Sequence, residues 1–204
     1  PDYERFMERG CAFLRLPPPG TLAEALASLM IFYSHVPSVT HYPVYIGRID
    51  RMLEPFVRKV PRDEARGMLR LFLTALDRTV SDSFCHANIG PEATVTGELV
   101  VELLPELQNA VPNLTLLYDP AVTPDEFAVK CVSSALKCAN PAFAHDPYYR
   151  SRIGERYGIA SCYNGLYVGG GAYSLSRMRL CRIAERCRSL DEFFSVRLPE
   201  AVDA

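Results

Sequence analysis

Seven cysteines occur in the chain, at positions 11, 85, 131, 138, 162, 181 and 187, and Cys162 has the most distinctive setting. It ends the short apolar run 157–162 and precedes a polar, glycine-rich turn, so rigid structure could present its thiol to a cavity. On residue type alone, a cysteine in such a place is more often an inert, buried side chain. No Cys-x-x-Cys pair occurs, which disfavours a zinc knuckle, and the odd number of cysteines disfavours a disulfide framework.

Three other features could also support chemistry. Cys85 next to His86 could form a thiolate nucleophile or a metal site, and a hydrolase using Cys85 or Cys162 is the corresponding function. Neighbouring residues on a strand point to opposite faces, however, which favours a polar loop that satisfies itself. The three glycines at 169–171 lack the lysine of a phosphate-binding P-loop. Arginines at 179, 182 and 186 share one side of a predicted helix, a pattern typical of a solvated surface.

Helices alternating with short strands must position these residues. A capping box at Thr21 and Glu24, followed by apolar residues at helical spacing, predicts the first helix. Further helices are predicted over 50–57, 63–80, 96–109 (bent or broken near Pro105), 123–137 and 175–188, with a short one capped by Ser189. Strands are predicted over 113–118, 142–144 and 157–163, and 81–91 is a loop or short strand. Strands separated by long helices predict an α/β fold with parallel pairing.

The composition fits one globular domain. The chain has 204 residues, 49% of them hydrophobic, and its formal net charge of -2 gives no support for nucleic-acid or anionic-membrane partners. The longest apolar stretch, 26–33, is too short to span a membrane. Cysteine usage is typical of a reducing cytosol, so we expect a cytoplasmic protein. The chain begins at Pro1 without an initiator methionine, which is consistent with a fragment of a longer polypeptide.

Three segments, in the same order, resemble the glycyl radical enzymes, the superfamily of pyruvate formate-lyase and the diol and choline lyases. Residues 47–56, GRIDRMLEPF, are similar to the family's Gly-Arg-x-Asp-x-x-x-x-Pro segment. Asn88, Ile89 and Gly90 are similar to its Thr-Ile-Gly-Gly loop and are followed by PNLT at 112–115. Residues 157–162, YGIASC, are similar to the strand that ends in the radical cysteine. The words SCYN and VGGGAY, at 161–164 and 168–173, most resemble the YjjI-type branch.

The resemblance implies a partial ten-stranded α/β barrel, in which parallel half-barrel strands are surrounded by helices. The whole chain, 1–204, would be one incomplete domain of that barrel, with a finger loop at about 157–171. The glycyl radical would lie on a segment absent from this chain, because no Arg-Val-x-Gly-Tyr/Phe motif occurs. A partner enzyme with an iron–sulfur cluster and S-adenosylmethionine would install the radical. No soluble cofactor and no metal site in the chain itself are implied.

The resemblance also assigns site residues. Cys162 would carry the thiyl radical, while Asn164, His86 and Asn88 would line the substrate pocket and Arg177 would contact an anionic group. Asn164 stands where diol dehydratase-like members carry a glutamate, and serine stands at 161 where pyruvate formate-lyase has a second cysteine. Neither proton transfer through a glutamate nor acyl transfer through a cysteine pair is therefore expected.

The implied function of the parent protein is C–H abstraction or C–C or C–X cleavage on a small organic substrate, by a lyase or acyltransferase. The protein would be oxygen-sensitive, and a homodimer is the oligomer common in the family. This chain alone would be inactive, because it lacks the glycyl loop. The alternative is a degenerate, non-catalytic scaffold that retains part of the barrel.

Overall fold

The computed structural model of the protein describes residues 2–39, 44–79, 85–160, 164–167 and 180–203. The chain divides into two compact units, Pro1–Gly170 and Gly171–Ala204. The first unit contains the sheet and the candidate site.

The first unit is a mixed α/β structure built on a parallel sheet. Its helices are α1 (Tyr3–Arg9), α2 (Leu22–Val39), α3 (Ile49–Val57), α4 (Arg62–Thr79), α5 (Val95–Leu107), α6 (Asp125–Cys138) and α7 (Asp146–Ile153). Its strands are β1 (Val44–Arg48), β2 (Cys85–Ile89), β3 (Asn113–Tyr118), β4 (Ala142–His145), β5 (Tyr157–Ala160) and β6 (Asn164–Tyr167). Strands β1 to β4 form one parallel sheet in sequence order, and β5 and β6 form a separate antiparallel hairpin.

Helices cover one face of the sheet, which we call the helix face. Apolar residues at helical spacing on α4 (Ala65, Leu69, Phe72, Leu73 and Leu76) are buried there. The sheet contributes alternate residues to the same core: Ile46, Cys85, Ala87, Ile89, Leu114 and Leu116. Because side chains alternate along a strand, the residues between them belong to the opposite face, which we call the hairpin face.

The second unit contains short helical segments. They are α8 (Leu180–Ala184), α9 (Leu190–Glu192), a π-helical turn (Phe193–Arg197) and α10 (Leu198–Asp203). The Ser189 side chain accepts a hydrogen bond from the Glu192 backbone N–H, which confirms the predicted cap.

The observed elements confirm most of the predicted ones and correct several details. The helix predicted to bend or break near Pro105 continues through it to Leu107. In the predicted helix 175–188, residues 175–179 lie outside the described residues, and α8 ends at Ala184. The loop or short strand at 81–91 contains β2, and the predicted strand 157–163 is described as β5 over its first four residues. Elements α1, β1, α7, β6 and α10 were not predicted.

Candidate functional site

The hairpin face carries the polar side chains nearest the candidate cysteine segment. His86 and Asn88 alternate with the helix-face residues of β2, and both are buried. Thr115 pairs with Asn88 across the ladder between β2 and β3, and it is also buried. Because apolar and polar side chains alternate along β2 and β3, the sheet has one apolar face and one partly polar face.

The β5–β6 hairpin brackets the candidate radical cysteine. Ala160 pairs with Asn164 at the end of the antiparallel ladder, so residues 161–163 are the three-residue connection between the two strands. Cys162 is the middle residue of that connection, and it lies outside the described residues, as does Arg177. Asn164 is the first residue of β6 and is exposed.

Asn88 joins the hairpin to the sheet. Its Nδ2 donates to the Ile159 carbonyl oxygen at 3.0 Å, and its Oδ1 accepts from the Ile159 backbone N–H at 2.8 Å. Tyr45 donates its hydroxyl to the same Oδ1 at 3.1 Å. One carboxamide thus makes both hydrogen bonds that a neighbouring strand would make to Ile159.

Close packing also holds the hairpin. A Cβ atom on Gly158 would lie 2.4 Å from Cζ of Tyr45, so the tyrosine ring occupies the space that a side chain would need. A Cβ atom on Gly165 would lie 2.5 Å from atoms of both Tyr149 and Ile153. Glycines at these two positions allow the close approach of α7 and β1 to the hairpin.

The start of β5 is anchored by buried polar groups. The Tyr157 hydroxyl donates to Asp146 Oδ1 at 2.6 Å, and burial raises the pKa of Tyr157. Asp146 also forms an ion pair with Arg150 at 3.0 Å, and Arg150 forms another with Asp119 at 3.0 Å. Below the hairpin, Leu117 and Ala144 pack with Tyr157 and Ile159 in a second apolar cluster.

The Gly-Arg-x-Asp segment positions the loop that follows β2. Asp50 Oδ2 accepts from the Gly90 backbone N–H at 2.7 Å, and Arg48 donates to the Gly90 carbonyl oxygen. Burial raises the pKa of Asp50 to about 6, against smaller lowering effects of the Gly90 hydrogen bond and the Arg48 guanidinium. The segment therefore fixes both backbone polar groups of Gly90, immediately after the strand that carries Asn88.

A cleft of about 300 Å³ opens beside the start of β5. Four arginines contribute to its lining, and acidic side chains stand among them. Three of these arginines already have carboxylate partners, since Arg48 pairs with Glu92, Arg150 with Asp119 and Asp146, and Arg156 with Asp2. The cleft is thus a mixed-charge surface at the base of the hairpin.

The Cys85–His86 pair is divided between the two faces. Cys85 lies fully buried in the helix-face core, while His86 alternates with it and belongs to the hairpin face. This separation disfavours a nucleophile–base pair made from these two residues.

The structure brings His86 and Asn88 together on one face and places Asn164 on the hairpin above it. Sequence reasoning missed Tyr45, Asp146 and Gly158 as residues that position the hairpin. Gly158 could have been identified from the sequence, because a glycine inside a strand often marks a close backbone approach. Tyr45 and Asp146 carried no local signal, since their roles depend on residues distant in sequence.

Neither a metal-binding cluster nor a membrane-spanning helix occurs among the residues that the structure describes. Within those ranges, no three His, Cys, Asp or Glu side chains are grouped closely enough to bind a metal ion. In the same part of the chain, no helix combines the length and the apolar character needed to cross a membrane.

Comparison with known proteins agrees with the sequence resemblance. The family model described as "Glycyl radical enzyme YjjI-like" matches residues 1–204. A protein of Haemophilus influenzae, named "Uncharacterized protein", is 50% identical over 199 residues, which are 98% of this chain and 38% of that protein. "Uncharacterized protein YjjI" of Escherichia coli is 42% identical over 200 residues, 98% of this chain and 39% of that protein. The chain thus spans less than two-fifths of these relatives, and it belongs to the YjjI-like glycyl radical enzyme family.

Proposed function

We propose that the full-length protein is a radical enzyme in which Cys162 carries a thiyl radical that starts the reaction on a small organic substrate. The observation that carries this proposal is the hairpin that brackets Cys162, which is fixed to the polar face of the sheet by Asn88. Membership of the YjjI-like glycyl radical enzyme family supports it independently.

A radical enzyme needs a rigid, positioned hydrogen donor more than it needs an acid or a base. A glycyl radical on a segment outside this chain, installed by an iron–sulfur, S-adenosylmethionine-dependent activating enzyme, would supply the unpaired electron. The glycyl radical carbon would take a hydrogen atom from the Cys162 thiol, so a glycyl C–H bond forms as the S–H bond breaks and the unpaired electron remains on sulfur. Sulfur then takes a hydrogen atom from a substrate C–H bond, which re-forms S–H and leaves a carbon radical on the substrate. The bond broken and the bond formed are similar in strength, so the transfer is reversible.

The residues of this chain would position the substrate and exclude water rather than exchange protons with it. We propose that Asn164 and His86 contact the substrate from the hairpin and from the sheet, and that Arg177 binds an anionic group. The resemblance also assigned Asn88 to this pocket, but three hydrogen bonds already hold its carboxamide, so we do not propose it as a substrate contact. A carboxamide at position 164 can orient a polar substrate group but cannot act as a general acid.

The proposal includes a fold for the parent protein. The four parallel strands, with helices on one face and the cysteine hairpin on the other, support the proposal that this chain forms part of a half-barrel. We propose that the remaining strands come from segments outside this chain and complete a ten-stranded barrel around the hairpin.

Deuterium exchange into the glycyl radical tests Cys162 without knowledge of the substrate. In deuterium oxide the thiol carries deuterium, so reversible transfer between Cys162 and the glycyl carbon replaces the glycyl α-hydrogen. The EPR doublet that this hydrogen causes then collapses. We expect collapse in the anaerobically activated full-length protein and a persistent doublet in Cys162→Ser, because an O–H bond is too strong to donate hydrogen to a glycyl radical.

Cys138→Ser is the matched control. Cys138 is a half-buried cysteine at the end of α6, and its thiol donates to the carbonyl oxygens of Ser134 and Asn140, as a hydroxyl can. This variant should lose the doublet at the wild-type rate. Collapse of the doublet in Cys162→Ser at the same rate would contradict the assignment of Cys162.

A further inference from the structure

Asn88 has a geometry that differs from that of a pocket residue. Its side chain is fully buried, and its Oδ1 and Nδ2 are both engaged by the backbone of a single residue, Ile159. The orientation of the carboxamide is fixed, because the Ile159 N–H requires an oxygen acceptor and the Ile159 carbonyl requires an N–H donor. The Tyr45 hydroxyl adds a second donor to the same oxygen.

Strand β5 pairs with β6 and not with the parallel sheet beneath it. Without a neighbouring strand on that side, the buried N–H and C=O groups of Ile159 would have to be satisfied by other means. Asn88 satisfies both from the interior of β2, and Ile159 precedes Cys162 by three residues in the sequence. The carboxamide therefore fixes the distance of β5 from the sheet and the residue of β5 that faces Asn88. Strand β5 is the one that leads to Cys162.

We infer that Asn88 is a positioning residue for the radical reaction, because it holds the cysteine strand on the sheet in the one register that its carboxamide allows. The inference rests on the proposed function of Cys162 and adds to it a residue that controls the rate of hydrogen transfer. Hydrogen-atom transfer requires close contact between the donor and acceptor atoms, so a small displacement of the strand slows the transfer strongly.

The test is Asn88→Asp in the activated full-length protein, with the rate of doublet collapse in deuterium oxide as the readout. The ionised carboxylate keeps the acceptor for the Ile159 N–H but faces the Ile159 carbonyl without a proton to donate. The protonated carboxyl group restores a donor and an acceptor in the same plane. We expect the rate to fall about ten- to hundredfold where the introduced group is ionised, and to recover as the pH is lowered through its pKa.

Burial raises the pKa of the introduced carboxyl group, which brings the recovery toward neutral pH. The charged or titratable groups on the elements around position 88 are Tyr45 and Arg48 of β1, Asp50 of α3, Cys85 and His86 of β2, and Tyr157 of β5. Burial raises the pKa of both tyrosines, so they stay protonated across the pH range of the test. Asp50, whose pKa burial raises to about 6, and His86 are present in every variant, so the wild-type and Asn140→Asp pH profiles contain their contributions.

Asn140→Asp is the matched control. Asn140 makes the same pair of bonds to another segment, donating to the Pro112 carbonyl oxygen and accepting from the Leu114 N–H, each at 3.0 Å. Its replacement should lower stability but leave the pH profile of the collapse like that of the wild type. If Asn140→Asp reproduces the pH-dependent recovery, the effect is general destabilisation and the inference is wrong.

Other outcomes are equally decisive. Collapse in Asn88→Asp at the wild-type rate at every pH overturns the inference, while a persistent doublet in Cys162→Ser leaves the proposed function standing. Collapse in Cys162→Ser overturns the proposed function itself. If Asn88→Asp yields no folded protein, Tyr45→Phe removes only the hydroxyl that orients the carboxamide and keeps the ring against Gly158. It should slow the collapse severalfold, and an unchanged rate would overturn the inference.

Discussion

Asp50 and Glu54 lie one helical turn apart on α3, and their surroundings move their carboxyl pKa values in opposite directions. Asp50 is fully buried, and desolvation outweighs its hydrogen bond from Gly90 and raises its pKa. Burial also acts on Glu54, but hydrogen bonds from Thr96, Arg58 and Val95 together outweigh it and lower the pKa. Glu54 accepts hydrogen bonds from the backbone N–H groups of Val95 and Thr96 at the start of α5. The helix dipole also favours a carboxylate there.

We expect the stability of Asp50→Asn relative to the wild type to increase with pH. The folded-state pKa of Asp50 is raised, so the stability that its protonated form provides is complete below the unfolded-state value. That stability is lost as the pH rises through about 6. A rise of about 2 in pKa corresponds to roughly 3 kcal/mol in the free energy of unfolding between about pH 4 and pH 7. Urea unfolding of both proteins across this range measures the difference.

Glu54→Gln is the control, because its stability relative to the wild type should change with pH in the opposite direction. The folded-state pKa of Glu54 is lowered, so its contribution is present above the unfolded-state value and is lost as the pH falls through the folded-state value. The difference in the free energy of unfolding between the wild type and Glu54→Gln should therefore decrease as the pH becomes acidic. Parallel stability profiles for the wild type and Asp50→Asn would contradict the assignment of Asp50 as the buried titrating group.

At the residue scale, the sequence predicted the polar positions but not their contacts. Cys162 and Asn164 were assigned from a motif, and the structure describes only the strands on either side of Cys162. His86 and Asn88 were predicted to share a site, and alternation along β2 places both on one face. The bond from Asn88 to Ile159 could not be predicted, because the two residues are 71 positions apart and no local pattern links them.

Among the elements, the β5–β6 hairpin depends on glycine more than any other part of the site. Gly158 of β5 packs against the Tyr45 ring, and Gly165 of β6 packs against the Tyr149 ring of α7. The sequence around Gly165 has the composition of a turn, which is why β6 was not predicted. Its pairing with β5 supplies the hydrogen bonds that local propensity does not favour.

Gly158→Ala should disturb the hairpin through overlap with Tyr45. The added methyl group would lie within 2.7 Å of three side-chain atoms of Tyr45, two in the ring and the hydroxyl oxygen. We expect a loss of about 1–3 kcal/mol in the free energy of unfolding, as for other overpacked sites. Thermal or urea unfolding, combined with the deuterium-exchange rate of the glycyl radical, measures the effect.

Gly67→Ala is the control for the same chemical change. No atom lies within 4 Å of the added methyl group at this position in α4, so helix propensity should stabilise the protein by about 0.5–1 kcal/mol. The double variant Tyr45→Ala, Gly158→Ala should show less additional destabilisation from the alanine at 158 than the single variant does. Strictly additive effects would mean that the two side chains do not compete for one space.

Helices were predicted well because their signals are local. Capping residues and apolar spacing predicted α4 and α6 to within a few residues, and they predicted the start of α2. The helix α7 carried the same kind of signal, with Pro147 in its first turn and His145 accepting from the Tyr148 N–H, and it was overlooked. The strand β1 was missed for a different reason, because Gly47 and Arg48 favour a loop and only the pairing with β2 makes the segment a strand.

At the scale of the whole molecule, the parallel sheet ends at β1 on one side and at β4 on the other. Within the described strands, β4 pairs with β3 and presents its other edge without a strand partner. Phe143 on this strand is 45% exposed, which is high for a large apolar side chain beside a buried sheet. An edge of this kind is usually covered in the complete protein.

The proposed barrel predicts that β4 is covered in the full-length protein. Amide hydrogen exchange in peptides containing Ala142–His145 should be slower in the full-length protein than in the 204-residue chain, because a further strand would occupy the open edge. Peptides from Asn113–Tyr118, an internal strand, should exchange slowly in both proteins. Equal exchange of the β4 peptides in the two proteins would contradict completion of the barrel at this edge.

The bond between Asn88 and Ile159 also has a consequence for the order of assembly. It closes a loop of 71 residues, whereas the ladder from β2 to β3 joins residues much closer in sequence, such as Asn88 and Thr115. Closing a longer loop costs more chain entropy, so the parallel sheet should form before the hairpin docks on it. During synthesis, the ribosome must also complete the sheet strands before it reaches Cys162. The Cys162 thiol would therefore be positioned only after the parallel sheet that holds the hairpin has formed.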